Sequence, residues 1–394
     1  MPEGMPMVLD RIGKFSAALI CVLCIIAYHT KLAQPSPDSN IYKIPKHLAE
    51  LLAVKDLELV VLDPAIFDCI ARDKCGLAEA SRRLELGTTL ANMSAFGGLF
   101  LRHFEDKNWT FNVGKSPNMV LTKTVYPANY KKQIVVRLIM DNPQTNYFIM
   151  WGDRNFDLED MAVDRFEICE VEGTIKTPCD IDRFELMWKN GRFLLCNYDL
   201  AVSLRDFSGK NFYHRVSEGH LLKNFANSLF ESGQLPTLSF GSLLGWQRDC
   251  GMIPDKYWIE LTVEASQYNH SFVSSLRNST GIRRFESSGE LAHGLEFQVE
   301  LAGIKDITVQ VYYNYPHNST HDWTIDDNNE YHLPKMTGNC AADFLGYLFY
   351  VPCNYKDRIV ATYGEEWANY IVTESFEEDG SIYLEQNQGV ELPW

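Results

Sequence analysis

The chain has few basic residues for its size. It carries 36 Lys and Arg against 52 Asp and Glu over 394 residues, for a formal net charge of -16. No Lys/Arg cluster is interleaved with aromatics, so a nucleic-acid backbone would be repelled, and nucleic acid is excluded as a partner. Paired Cys-x-x-Cys motifs are absent outside one apolar stretch, which argues against a zinc site. Low-hydrophobicity disorder is also excluded. Apolar residues make up 46% and aromatics 12%, a composition that supports packed, β-containing domains. The length exceeds one average domain, so two are expected.

One apolar run is present, from Phe15 to Tyr28. At about 1.5 Å per residue it spans roughly 21 Å, short of a hydrocarbon core of about 30 Å. Ile12 and Gly13 lengthen it, and Arg11 and Lys14 can snorkel. A cleaved signal peptide needs small residues at its cleavage site, and His29-Thr-Lys-Leu-Ala-Gln34 supplies a poor one. The reading is therefore an uncleaved signal anchor over 12–30, with a cytosolic tail over 1–11. A short N-terminus with flanking basic residues predicts a type II, single-pass topology. Asn-x-Ser/Thr sequons at Asn92, Asn108, Asn269, Asn278 and Asn318 point, with the anchor, to a lumen. Cys21 and Cys24 lie inside the span. The other eight cysteines suit disulfides in an oxidising compartment, with Cys69–Cys75 and Cys169–Cys179 as plausible local loops and the connectivity otherwise open.

A Pro/Ser-rich stem is expected over 31–45, a first luminal domain over 46–220 and a second over 221–394. In the first, Leu57–Leu62, Gln133–Met140, Tyr147–Trp151 and Phe193–Cys196 read as strands. Ile66–Arg72, Leu77–Leu84 and Arg183–Trp188 read as helices. That alternation predicts an α/β (α+β) fold. Asp180-Ile-Asp182 opens a helix, where N-capping and the helix dipole account for both carboxylates. Gly219–Gly233 is the clearest helix, with Leu222, Phe225, Ala226 and Leu229 on one face. Strands follow near Leu295–Leu301 and Ile307–Tyr313. A helix capped by Asn354 covers Tyr355–Tyr363, and the acidic tail after Glu374 reads as irregular. His317 and His321, with Asp322 and His332, read as a glycosylated surface loop rather than a metal cluster.

The most informative stretch is Pro236–Glu264. Thr237–Phe240 reads as a short strand, Gly241–Ser242 as a tight turn and Ser242 as the cap of a helix. Trp258–Val263 reads as a second strand. A Gly-Ser turn opening a helix presents free N–H groups that suit a phosphate.

Gly241-Ser-Leu-Leu-Gly-Trp-Gln-Arg-Asp-Cys-Gly-Met-Ile-Pro254 resembles the signature of the LicD family and its fukutin branch. Further blocks agree: Leu333-Pro334 to Asp343-Phe-Leu-Gly346, Val351-Pro-Cys-Asn354 and Tyr363-Gly-Glu-Glu-Trp367. The resemblance implies a Golgi membrane protein with a nucleotidyltransferase-like domain. It implies transfer of ribitol phosphate, or a similar phospho-alditol or phospho-sugar, from a CDP-linked donor to a glycan of dystroglycan type. It further implies Mg2+ or Mn2+ where the protein is active, substrate binding by Gly241, Ser242 and Arg248, and a glycoprotein glycan acceptor and a related Golgi transferase as partners. The positions of the metal-binding aspartates fall on Trp258, Glu260 and Gln310, leaving Glu260 as the metal residue. An inactive paralogue that binds a glycan or a partner is the alternative, and a glycoprotein retaining only the fold is a third.

Overall fold

A computed structural model describes residues 52, 58–72, 76, 81–89, 110–113, 118–125, 130–143, 145–171, 175–208, 216–254, 256, 258–303, 307–326, 329–369, 373–376 and 382–385. The expected anchor and stem, the sequons at Asn92 and Asn108, and Asp255 lie outside them. Among the described residues, no helix is long and apolar enough to cross a membrane.

The fold is mixed α/β. A seven-stranded sheet is built on Leu59–Val61, which pairs in parallel with Ile175–Pro178 and antiparallel with Arg83–Thr88. Leu59, Val60 and Val61 are all buried. The helix Pro64–Arg72 buries Ile66, Phe67 and Ile70 in this sheet's core, with Pro64 at the first turn where no N–H is missed. Asp63 accepts the N–H groups of Ala65 and Glu85 at 2.8 and 3.1 Å. The helix Ile181–Lys189 adds Phe184 and Met187 to the same core, and Asp180 caps it by accepting Arg183 N–H at 3.0 Å. Asp182 is spent on an ion pair with Arg72. The helix expected over Leu77–Leu84 is corrected at its end. Leu84 sits in the strand Arg83–Thr88, where Leu84 and Leu86 alternate with Arg83 and Glu85.

A three-stranded sheet joins Met140–Asp141, Tyr147–Met150 and Met161–Asp164, and a ten-stranded sheet carries most of the remainder. Its central ladder runs Tyr347–Pro352, Thr237–Leu238, Trp258–Glu264, Thr308–Pro316, Gly294–Leu301. Ile259, Leu261 and Val263, Val309, Val311 and Tyr313, and Phe297, Val299 and Leu301 pack into one apolar cluster. Alternation therefore assigns Glu260, Thr262, Glu264, Gln310, Tyr312 and Asn314 to the opposite face. The helix Val216–Glu231 buries Leu222, Phe225, Ala226 and Leu229, the stripe expected from spacing. The strand Phe193–Leu194 pairs in parallel with Asn339–Phe344, so it belongs to this sheet although it precedes residue 220.

Among the described residues, three disulfides with both partners in view pin the chain. Cys169–Cys179 closes a hairpin, as expected, and Cys340–Cys353 closes another. Cys196–Cys250 ties the segment after Phe193–Leu194 to the end of the helix Phe240–Asp249. Cys69 is also disulfide-bonded, with its partner outside the described residues. The acidic tail is not wholly irregular, because Thr373–Phe376 and Ile382–Glu385 form a hairpin. Asn354 precedes the helix Tyr355–Tyr363 but does not cap it. Its side chain bridges Thr337 N–H and Lys335 carbonyl instead.

Candidate functional site

The helix Phe240–Asp249 leaves the end of the strand Thr237–Leu238 and is buried along its whole length. Its start differs from the sequence reading. Gly241 and Ser242 are not a turn before the helix but its first turn, and Ser239 occupies the N-cap position without a side-chain bond to the helix. The reason is an external cap. Glu260, on the neighbouring strand, accepts Ser242 N–H through Oε2 at 3.0 Å. Ser242 Oγ in turn accepts Glu260 N–H at 2.8 Å, and Glu260 carbonyl accepts Ser239 N–H at 3.1 Å. Helix and strand are thus clamped in both directions. The positive end of the helix dipole already faces a carboxylate. Phe240 enters the helix with φ +43, a left-handed conformation for a bulky residue, and its ring packs on Tyr312 and Tyr331 at 5.2 Å each.

The same carboxylate binds a lysine. Lys256 Nζ lies 2.7 Å from Glu260 Oε2, with only 8% and 7% of the two side chains exposed. It also stands 4.9 Å from the centre of the Trp258 ring, within cation–π range. A Cβ at Gly241 would run into Lys256 Nζ, so glycine there leaves the ammonium its place. Lys256 was not singled out in the sequence. The usable signal was its position two residues before Trp258, where a cation accompanies the loss of acidic ligands.

The three positions assigned to metal ligands are brought to one area of the sheet. Glu260 pairs directly with Gln310, and Trp258 with Thr308. Their chemistry does not suit a divalent cation, which wants several charged oxygens. Trp258 offers no oxygen. Gln310 Oε1 accepts the Tyr312 hydroxyl at 2.9 Å, and Glu260 is ion-paired. Among the described residues, the nearby Glu264, Glu296 and Glu300 do not make up the difference. Glu300 is paired with Arg283 and Glu296 accepts the Ser288 hydroxyl. Glu264 lies four residues along the strand from Glu260, about 13 Å away. It takes the Asn314 amide at 3.0 Å, and burial raises its pKa. Among the described residues, no group of three or more His, Cys, Asp or Glu could hold a metal ion. That statement also covers His317, His321 and His332.

Arg248 is not at the Ser242 end. Six residues place it about 9 Å further along the helix. Its Nε lies 2.9 Å from Asp249 Oδ2, both side chains being buried. Beyond Glu264 the polar face continues to Arg358, whose Nη1 donates to Pro334 carbonyl at 2.7 Å and lies 3.8 Å from Asp322. Burial lowers its pKa to about 10, so it stays charged at neutral pH. A cleft of about 830 Å³ lies elsewhere, lined among others by Asp153, Asp157, Asp160 and Arg192. It takes no residue from the Phe240 helix or the Trp258 strand.

Of the described sequons, Asn278 and Asn318 are exposed and Asn269 is half-buried. Asn318 Oδ1 accepts both Thr320 N–H and the Thr320 hydroxyl. Asn269 caps a helix at Phe272 N–H, and its Nδ2 donates to Ser232 carbonyl at 2.9 Å.

No family model matches the chain. Among curated proteins it is similar to the ribitol-5-phosphate transferase FKTN of Mus musculus, 28% identical over 222 residues, 52% of this chain and 47% of that one. The Homo sapiens protein of the same name is 26% identical over 222 residues, 54% and 46% of the two chains. The chain is distantly similar to fukutin. It is also 28% identical over 214 residues to the uncharacterized protein W02B3.4 of Caenorhabditis elegans, 52% of this chain and 54% of that one. The chain therefore spans about half the length of each of these relatives.

Proposed function

We propose that this protein is a fukutin-like component of glycoprotein glycosylation, acting on a phospho-alditol or phospho-sugar group carried by a CDP-linked donor and destined for a glycan. The observation that carries this reading is the 222-residue similarity to a ribitol-5-phosphate transferase. The strand–helix–strand unit around Ser242 and Glu260 adds a buried polar face to it. The placement we propose is a single-pass type II protein of the Golgi membrane. In it, the domains over 46–220 and 221–394 face the lumen, and a related transferase is a partner. Gly241 and Ser242 would lie against the donor's phosphate, and Arg248 would act from further along the helix.

A second reading is favoured by one contact. The Glu260 carboxylate already holds the Ser242 N–H that a phosphate oxygen would take. On that reading the protein binds its glycan, donor or partner transferase and transfers nothing. The deciding experiment incubates the full chain with CDP-ribitol and a phosphorylated glycan acceptor, with Mn2+ or with EDTA. Ribitol phosphate on the acceptor under either condition supports transfer. Binding of CDP-ribitol without product supports the second reading, and neither binding nor product sinks the donor assignment.

A further inference from the structure

The residues at Trp258, Glu260 and Gln310 disagree with a divalent-metal site, and the structure shows what stands in the cation's place. Glu260 is the acidic residue of the three positions, and its Oε2 is shared between Ser242 N–H and Lys256 Nζ. The Lys256 ammonium is enclosed on three sides, by that carboxylate, by the Trp258 ring at 4.9 Å and by Gly241. Each of these favours a monovalent, non-coordinating cation. An indole face attracts an ammonium but gives a hard divalent ion no lone pair. Gly241 has no side chain to crowd the nitrogen. The carboxylate and the ammonium sum to zero charge, so a second cation would meet repulsion from Lys256, and among the described residues no group of three or more His, Cys, Asp or Glu stands by to offset it.

We infer that Lys256 takes over the electrostatic task of the divalent cation, so that this site works without metal. The inference rests on the donor reading above only in the identity of its ligand. A phosphate approaching the first turn of the helix would find the ammonium as its counter-charge. Glu260 would act as the positioning group that holds Lys256 there. Lysine serves such a role as a point charge, without the fixed geometry a metal imposes.

The test measures Mn2+ binding to the purified full chain by electron paramagnetic resonance, separately from any turnover. Wild type is expected to show no Mn2+ binding that depends on Glu260. Any binding that survives Glu260→Gln lies at another place and agrees with the inference. The double variant Lys256→Ala/Trp258→Asp, which frees one carboxylate and adds another, is expected to gain one Mn2+ per chain at least tenfold tighter than wild type. One Mn2+ per wild-type chain, weakened tenfold or more by Glu260→Gln, overturns the inference. If near-ultraviolet circular dichroism shows the double variant unfolded, the comparison of wild type with Glu260→Gln decides alone. A parallel titration uses CDP as the probe. Equal affinity in EDTA and in Mn2+, with a tenfold loss in Lys256→Ala, agrees with the inference, and an affinity tenfold higher with Mn2+ opposes it. Absence of CDP binding under both conditions counts against the donor reading, and the Mn2+ result still decides the role of Lys256.

Discussion

Lys256 and Glu260 neutralise each other in a place water barely reaches. Removing one partner of a buried pair strands the other, whereas removing both can be nearly neutral. Lys256→Ala is therefore expected to lower unfolding free energy by about 3 kcal/mol, the low end for a buried pair, because Ser242 N–H still serves Glu260. Lys256→Met combined with Glu260→Gln should cost less than about 1 kcal/mol on the same grounds. Urea titration of the variants checks both values. A second carboxylate, the half-buried Asp63, behaves differently. Burial lifts its pKa from 3.8 to about 6, against the opposing pull of the Ala65 and Glu85 N–H groups. A raised carboxyl pKa means the folded state holds the proton more tightly. This group's contribution is thus full below about pH 4 and is lost as pH rises through about 6. Two units correspond to at most about 3 kcal/mol. Stability measured from pH 4 to 7 should fall less steeply in Asp63→Asn than in wild type. An equal slope would remove Asp63 from the account.

The helix Phe240–Asp249 is fixed at both ends by partners outside itself: Glu260 at its start and Cys196 at its close. The Cys196–Cys250 link spans 54 residues, and the chain-entropy estimate for a loop of that size is about 4 kcal/mol. Cys196→Ser/Cys250→Ser should lose about 2–4 kcal/mol in a denaturant titration. Dithiothreitol should then destabilise the variant less than wild type. Much of this region was legible in the sequence. Trp258–Val263 and Ile307–Tyr313 read as strands and are found as Trp258–Glu264 and Thr308–Pro316, and the positions assigned on each, Glu260 and Gln310, prove to be direct neighbours. The cap was misassigned because a local serine is the usual solution. Here the donor at Ser242 is met by a carboxylate 18 residues away. A spacing of four between Lys256 and Glu260 suits a helix face, whereas the pair bridges a loop and a strand. Leu77–Leu84 reads as a helix from a short apolar pattern, but its end alternates as a strand. The Cys196–Cys250 pairing had no local signal at all, since it depends on where the Phe193–Leu194 strand docks.

At the scale of the molecule, the three-stranded sheet of Met140–Asp141, Tyr147–Met150 and Met161–Asp164 meets the ten-stranded sheet through buried polar contacts as well as apolar ones. Lys223, on the helix Val216–Glu231, donates to Asp164 at 2.9 Å and to Leu348 carbonyl at 2.6 Å. Burial lowers its pKa, so the Asp164 carboxylate matters for keeping it charged. Surface chemistry gives a prediction for the whole protein. Made in a secretory pathway, it should carry glycans at Asn278 and Asn318 and none at Asn269, whose Nδ2 is held by Ser232. Stepwise Asn→Gln variants run beside glycosidase-treated protein will show this. A mobility shift from Asn269→Gln alone would contradict it. The order of strands in the larger sheet has a consequence for biosynthesis. Thr237–Leu238 pairs on one side with Trp258–Glu264, close in the chain, and on the other with Tyr347–Pro352. Phe193–Leu194 waits for Asn339–Phe344. A chain growing from its N-terminus therefore cannot close this sheet until residue 352 has left the ribosome. Until then Cys196 and Cys250 are made without the surface that aligns them. Nascent chains ending before Asn339 should show mixed pairing of these thiols, and chains extending past Pro352 should show one.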